Sequence, residues 1–133
     1  MEFIYRATAC GVFPNRVANL VALILVNLVQ NAVEATPRGM SVHLLFRRDA
    51  DSIVAEVREE GPGFPETRPV FAPCQSTKEG GSGIGLAISK QLANHLGAGL
   101  ELRESSPQGS VFILTLGTAI WSSKTSSVRV TLG

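Results

Sequence analysis

The stretch KEGGSGIGLAISKQL, Lys78 to Leu92, decides how this chain is read. Gly80, Gly81, Gly83 and Gly85 crowd its first half, and an amphipathic run follows at once. Glycine loses more backbone freedom on folding than any other residue, so a cluster this dense implies a use. A helix start is one such use, because its N–H groups are unpaired and its dipole end is positive, and anions bind there. Two common phosphate loops do not fit. Gly80 and Gly85 have the Walker A offset, but Leu86 stands where lysine is required. The dinucleotide fingerprint built on Gly81 and Gly83 would need glycine at position 86, and no strand directly precedes it.

Working outward, the helix predicted over 83–96 carries an apolar stripe of Ile84, Ala87, Ile88, Leu92 and Leu96, with Gly97 as its C-cap. Upstream, residues 59–82 are rich in glycine and proline and have no period, and a loop this long inside a compact domain is usually functional. Before it, MSVHLLFRR and IVAEVRE alternate as strands around the turn DADS and predict a hairpin. Met40, Val42, Leu44 and Phe46 share one face of the first; Ile53, Ala55 and Val57 share one face of the second. EFIYRA reads as a strand and CGVFPN as a turn. Downstream, LELRES and SVFILTL pair around SPQG, and VRVTL is either a further strand or a disordered end. Hairpins with helices between them predict an α+β domain.

A long helix is predicted from Asn15 or Arg16 to Thr36, stopped by Pro37 and Gly39. It is apolar nearly all round, which predicts burial. Asn19, Asn27, Gln30, Asn31 and Glu34 interrupt it, so it reads as a soluble core helix rather than a membrane span. Asn27 and Asn31 lie four apart on one face, and Glu34, three further on, joins them. A polar stripe on a buried helix must be satisfied. It serves either internal hydrogen bonding or a Mg²⁺ site, in which two amide carbonyls supply partial coordination and substrate phosphates complete it. In EEGPGF, Gly61 and Gly63 follow a strand that ends at Glu59. This is either a plain turn or a place where a flat ligand approaches the backbone while the carboxylate accepts a hydrogen bond from an exocyclic amine.

Composition bounds the partners. With 133 residues, the chain is long enough for a single core. A net charge of +1 carries no electrostatic footprint of a nucleic-acid binder. Cys10 and Cys74 have no metal or redox spacing and read as reduced cytosolic thiols. No secretory signal pattern opens the chain. The sequence therefore predicts a cytoplasmic domain that touches neither nucleic acid nor membrane, any membrane anchor lying elsewhere in a full-length protein.

The order of the motifs is more telling than any one of them. NLVQNAVEA, then EEGPGF, then FAPCQSTKEGG, then GGSGIGLAI resembles the ATP-binding catalytic domain of two-component sensor histidine kinases, within the gyrase, heat-shock chaperone, histidine kinase and MutL superfamily. They match its N box, first glycine box, F box with lid, and second glycine box. The resemblance covers about residues 12–116.

It implies a two-layer sandwich of a mixed, mostly antiparallel sheet with about three helices on one face, and ATP bound between helices beneath a lid. It further implies that residues 1–117 form the ATP-binding domain and 118–133 a tail or extra edge strand. By motif matching, Asn31 binds Mg²⁺, Asn27 assists at the metal or phosphates, and Glu34 belongs to the same nucleotide-binding set. Glu59 reads the adenine amino group, where most relatives carry aspartate, and Gly61, Gly63 and Phe64 line the adenine pocket. Lys78 is either a phosphate contact or a solvated lid lysine; Gly81, Gly83 and Gly85 shape the lid hinge and triphosphate cradle, and Ser82, Ile84 and Leu86 belong to the same nucleotide-binding set. The F box departs from the aromatic-rich pattern, with PCQSTK after Phe71.

The implied reaction transfers the γ-phosphoryl group of ATP to a histidine. Neither His43, in a predicted strand, nor His95, near a helix end, has the context of a phosphoacceptor on a dimerisation helix. The chain thus reads as the catalytic domain of a longer kinase. Its expected partners are that kinase's dimerisation and phosphoacceptor helices and, downstream, a response regulator. Alone, little autophosphorylation is expected. The same ATP fold also serves anti-sigma-type serine kinases and nucleotide-binding modules without catalysis.

Overall fold

A computed structural model describes residues 2–7, 11–13, 15–63, 70–71, 85–117 and 128–130. The elements run β1 (Glu2–Ala7), β2 (Gly11–Phe13), α1 (Asn15–Ala35), β3 (Ser41–Asp49), β4 (Ser52–Glu59), α2 (Gly85–Leu96), β5 (Gly99–Ser106), β6 (Gly109–Leu116) and β7 (Val128–Val130). The main sheet has the order β1-β3-β4-β6-β5. Only β1 and β3 run parallel, and the remaining neighbours are antiparallel. The α+β class and the mixed, mostly antiparallel sheet are as the sequence predicts; among the described residues the helices number two.

Helix α1 is the core of the domain. By length and composition it could cross a membrane. Here Val21, Ile24, Leu25, Leu28 and Ala32 are instead buried in the main core cluster with Val42, Leu44, Ala55 and Val57 of the sheet. The prediction that α1 is buried all round is corrected: Leu23, Val26 and Val33 are 46%, 50% and 39% exposed. A helix on one side of a two-layer sandwich turns only one face to the sheet. Its end is set by Thr36, whose hydroxyl donates to the Ala32 carbonyl at 2.7 Å, and by Pro37, which cannot continue the helix. Met40 falls in the turn that follows, its N–H donating to the Pro37 carbonyl at 3.1 Å. It is therefore exposed, not on the inner face of β3.

The β3–β4 hairpin forms around Ala50 and Asp51, with Asp49 opposite Ser52. Ala50 takes a left-handed φ of 54° to close it. Strand β4 sits inside the sheet and buries both faces. Ile53, Ala55 and Val57 meet the helices, while Val54 packs with Val111 and Ile113 on the far side. Glu56, also on the far side, is ion-paired to Arg47 and Arg58.

Helix α2 packs against α1 and ends at Gly97, as predicted. Gly97 has φ +75°, and Ala98 N–H donates back to the Ala93 carbonyl at 2.8 Å. Of the predicted stripe, Ala87 is buried and Leu92 and Leu96 pack against the core, while Ile88 departs from it. Leu86, Ala87, Ser89 and Ala93 are buried, and Ile88 is 37% exposed. Close approach of two helices selects small side chains at the contact, and a hydrophobicity pattern ranks Ile88 above Ser89. The Ser89 hydroxyl is fully buried and has no hydrogen-bond partner among the described residues. Removing an unsatisfied buried hydroxyl relieves a desolvation cost, so Ser89→Ala is expected to raise stability by about 1 kcal/mol. Thermal unfolding checks this, and a lowered melting temperature would show that the hydroxyl has a partner.

CGVFPN, predicted as a turn, contains β2. Gly11–Phe13 pairs antiparallel with Val128–Val130, so VRVTL does contribute a strand. The two segments are more than a hundred residues apart in the chain, and no local pattern announces such a pairing.

Candidate functional site

The site residues on α1 are placed by their neighbours. Leu28 and Ala32 are 1% and 2% exposed, which fixes the rotation of the helix on the sheet. Asn27 and Asn31, each one position earlier, then fall half-buried at the rim of the core, with Glu34 exposed one turn on. One turn beyond Asn31, the helix presents its last residue, Ala35, to the turn that follows β4.

That turn holds the best-defined geometry of the site. Glu59 ends β4 and is buried, 5% exposed, and one carboxylate oxygen, Oε2, accepts a hydrogen bond from Gly61 N–H at 2.9 Å. Gly61 is wedged tightly. A Cβ there would lie 2.4 Å from Glu59 Oε2 and 2.6 Å from the Ala35 carbonyl oxygen. Gly63, at φ +80°, packs its backbone on the β5–β6 hairpin, where a Cβ would meet the Ser106 carbonyl at 2.3 Å. The second Glu59 oxygen accepts no hydrogen bond among the described residues. Glu60 points elsewhere: it is exposed, and its carboxylate accepts from Ser41 N–H at 2.6 Å at the start of β3. The structure therefore joins the asparagine helix to the first glycine turn through Ala35 and Gly61.

Two contributors were not picked out from sequence. Ser110 is the register partner of Glu59 on β6, and its hydroxyl is buried with no hydrogen-bond partner among the described residues. Gly109 precedes it, and a Cβ there would lie 2.1 Å from the Glu59 carbonyl oxygen. Both depend on the pairing of β4 with β6, which are not sequence neighbours. Only the topology reveals them.

Helix α2 opens at Gly85, where a Cβ would meet none of the described residues within 4 Å beyond its own helix and chain neighbours. Leu86 turns inward and is buried at 9% exposure, so its side chain supports the helix start. Phe64, Lys78, Gly81, Ser82, Gly83 and Ile84 lie outside the described residues. Phe71 is described. It packs edge-on against Phe112 at 6.0 Å, and Lys90 stands over its ring.

Comparisons with known proteins agree with one another. Residues 17–120 match the model of the family described as histidine kinase-, DNA gyrase B- and HSP90-like ATPase. The chain is 31% identical over 108 residues to sporulation kinase C of Bacillus subtilis, covering 80% of this chain and 25% of that protein. The chain spans a quarter or less of the length of this and other curated relatives it matches. Among solved structures, the mycobacterial sensor histidine kinase MprB superposes with a TM-score of 0.73 at 25% identity, over 92% of this chain and 83% of that one. Full-length ShkA, solved in complex with AMPPNP, shares the fold with a TM-score of 0.76 at 20% identity, over 96% of this chain and 27% of its own.

Proposed function

This chain belongs to the histidine kinase-, DNA gyrase B- and HSP90-like ATPase family, and from that premise we propose that it is the ATP-binding catalytic domain of a sensor histidine kinase, transferring the γ-phosphoryl group of ATP to a histidine on a separate helical domain. The observation that carries the reading is the wedge of Glu59, Gly61 and Ala35, which sets a buried carboxylate beside the helix that bears Asn27 and Asn31.

In this reading Glu59 has two tasks. Oε2 holds the glycine turn through Gly61 N–H, and the other oxygen accepts the adenine amino group. Ser110, paired with Glu59, offers a hydroxyl to the same pocket. Asn31 and Asn27 face the phosphates. Their amide carbonyls are hard oxygen donors at the rim of the core, and that suits Mg²⁺, which keeps several waters and takes few protein ligands where phosphates complete its shell. Bound there, the ion would neutralise charge on the triphosphate, and phosphoryl transfer needs positioning and charge neutralisation more than covalent help. The N–H groups at the start of α2, near Gly85 and Leu86, are offered to the phosphates. Glu34, Gly63, Phe64, Lys78, Gly81, Ser82, Gly83 and Ile84 complete the nucleotide-binding set by motif. Residues 1–117 form the ATP-binding unit and 118–133 a C-terminal tail or extra strand, the segment that carries β7. The partners are the dimerisation and phosphoacceptor helices of the same kinase and a response regulator, and the site of action is the cytoplasm.

The chain is expected to bind ATP more tightly with Mg²⁺ than without, and to discriminate against GTP, whose guanine has a carbonyl where adenine has its amino group. Calorimetric titration of ATP and GTP, each with and without Mg²⁺, tests this. No heat and no competition at millimolar ATP would sink the reading.

A further inference from the structure

Lys90 joins three parts of the chain that are distant in sequence. It is half-buried on α2, and its Nζ donates to the Leu100 carbonyl at 2.8 Å. The same ammonium lies 5.3 Å from the centroid of the Phe71 ring, within the range of an attractive cation–π contact. Phe71 in turn meets Phe112 of β6 edge-on, at an interplanar angle of 70°. Leu100 lies on β5, the outer strand of the sheet, where outward carbonyls have no ladder partner. A lysine whose only task was solubility would keep its head in water. Here the head is spent on a strand carbonyl and an aromatic face.

The place of this contact gives it a use. Phe71 belongs to the segment between Gly63 and Gly85, the two glycine-rich arms of the nucleotide site. With Val70 it packs against the core. Lys90 sits five residues inside the helix that starts at Gly85. It therefore ties the helix start to the anchor of the connecting segment and both to the sheet. Helix α2 is also held by Leu86, Ala87 and Ala93 in the core, so the fold does not depend on Lys90.

Resting on the nucleotide-site reading above, we infer that Lys90 is a positioning residue for that site: by clamping Phe71 and Leu100 it fixes the start of α2 relative to the Glu59 turn. It touches no nucleotide itself.

The test uses the present chain with Lys90→Met, which keeps the stem and removes the cation, Lys90→Arg, which keeps both cation and donor, Phe71→Leu, and the Lys90→Met/Phe71→Leu pair. MgATP affinity is measured by calorimetry, well below the melting temperature of each variant. Lys90→Met and Phe71→Leu are each expected to weaken binding about three- to tenfold, the range a partly desolvated cation–π contact supports. Lys90→Arg is expected to bind like the parent, and the double variant no worse than the weaker single, because both changes remove one shared contact. A parental affinity for Lys90→Met with a lowered melting temperature would make Lys90 a structural staple and overturn the inference. Fully additive losses in the double variant would overturn the clamp. Failure of the parent itself to bind MgATP overturns the nucleotide-site reading, and this inference with it; binding by the parent with unchanged variants overturns this inference alone.

Discussion

Asn31→Ala is expected to leave the domain folded and to remove most of its response to Mg²⁺, with metal-free nucleotide binding little changed. The residue sits at the rim of the core, between Leu28 and Ala32 inside and the exposed face of α1 outside. Alanine is the better helix former, so the backbone gains slightly from the change. What is lost, if Asn31 serves the metal as proposed, is an amide oxygen ligand. Loss of an outer partner that merely orients a metal ligand typically costs about ten- to a hundredfold in metal affinity. A direct ligand therefore warrants at least about a hundredfold loss in the Mg²⁺-dependent part of binding, on the same scale. Calorimetry with ATP at several Mg²⁺ concentrations measures that part directly. A purely structural asparagine gives a different pattern. Breaking its internal hydrogen bond would lower stability by about 1–3 kcal/mol and weaken binding equally with and without the ion. That equality, together with a lower melting temperature, would return Asn27 and Asn31 to the other reading of the stripe, internal hydrogen bonding.

The parts of this fold that are legible in the sequence are those set by local rules. Pro37 and Gly39 stop α1 within a residue of where it ends. Alternation over 40–48 and 53–59 matches β3 and β4 to within a residue at each end, because each inner face meets the helices. The glycine turn after Glu59 is legible as well, since a carboxylate followed by Gly-x-Gly at a strand end has few uses. What stays hidden depends on residues far apart in the chain. Ser89 is buried on α2 where Ile88 is exposed, and hydropathy alone ranks them the other way. Ser110 becomes part of the site only through its register with Glu59. Lys90 reads as a solvent-facing helical lysine until Phe71 and Leu100 are placed around it. Gly11–Phe13 reads as a turn because its partner strand is at the opposite end of the sequence.

Glu59→Gln is expected to cost about tenfold to a hundredfold in ATP affinity, the worth of a hydrogen bond to a charged group. The geometry gives the change a direction. Gly61 N–H donates to Oε2 at 2.9 Å and will select the oxygen of an introduced amide. The amide nitrogen is then turned to the side where the second carboxylate oxygen had been. With adenine bound as proposed, a donor there would meet the adenine amino group, which is also a donor, so an attraction would become a repulsion. Glutamine in this pocket cannot escape by flipping, because that would set its NH₂ against Gly61 N–H. Glu59→Asp keeps the carboxylate, but it is a methylene shorter. It must either keep the Gly61 bond or reach the base, and Gly61 is too tightly wedged between the carboxylate and Ala35 to follow it freely. Aspartate is therefore expected to bind ATP between the parent and the glutamine variant. The control is Glu60→Gln. Its carboxylate caps Ser41 N–H on the exposed side, so it should change affinity little. A silent Glu59→Gln beside a crippling Glu60→Gln would place the adenine-reading carboxylate one residue later. If both were silent while ATP still bound, shape and backbone alone would be holding the base, and the buried carboxylate would be left only its task of bracing the glycine turn.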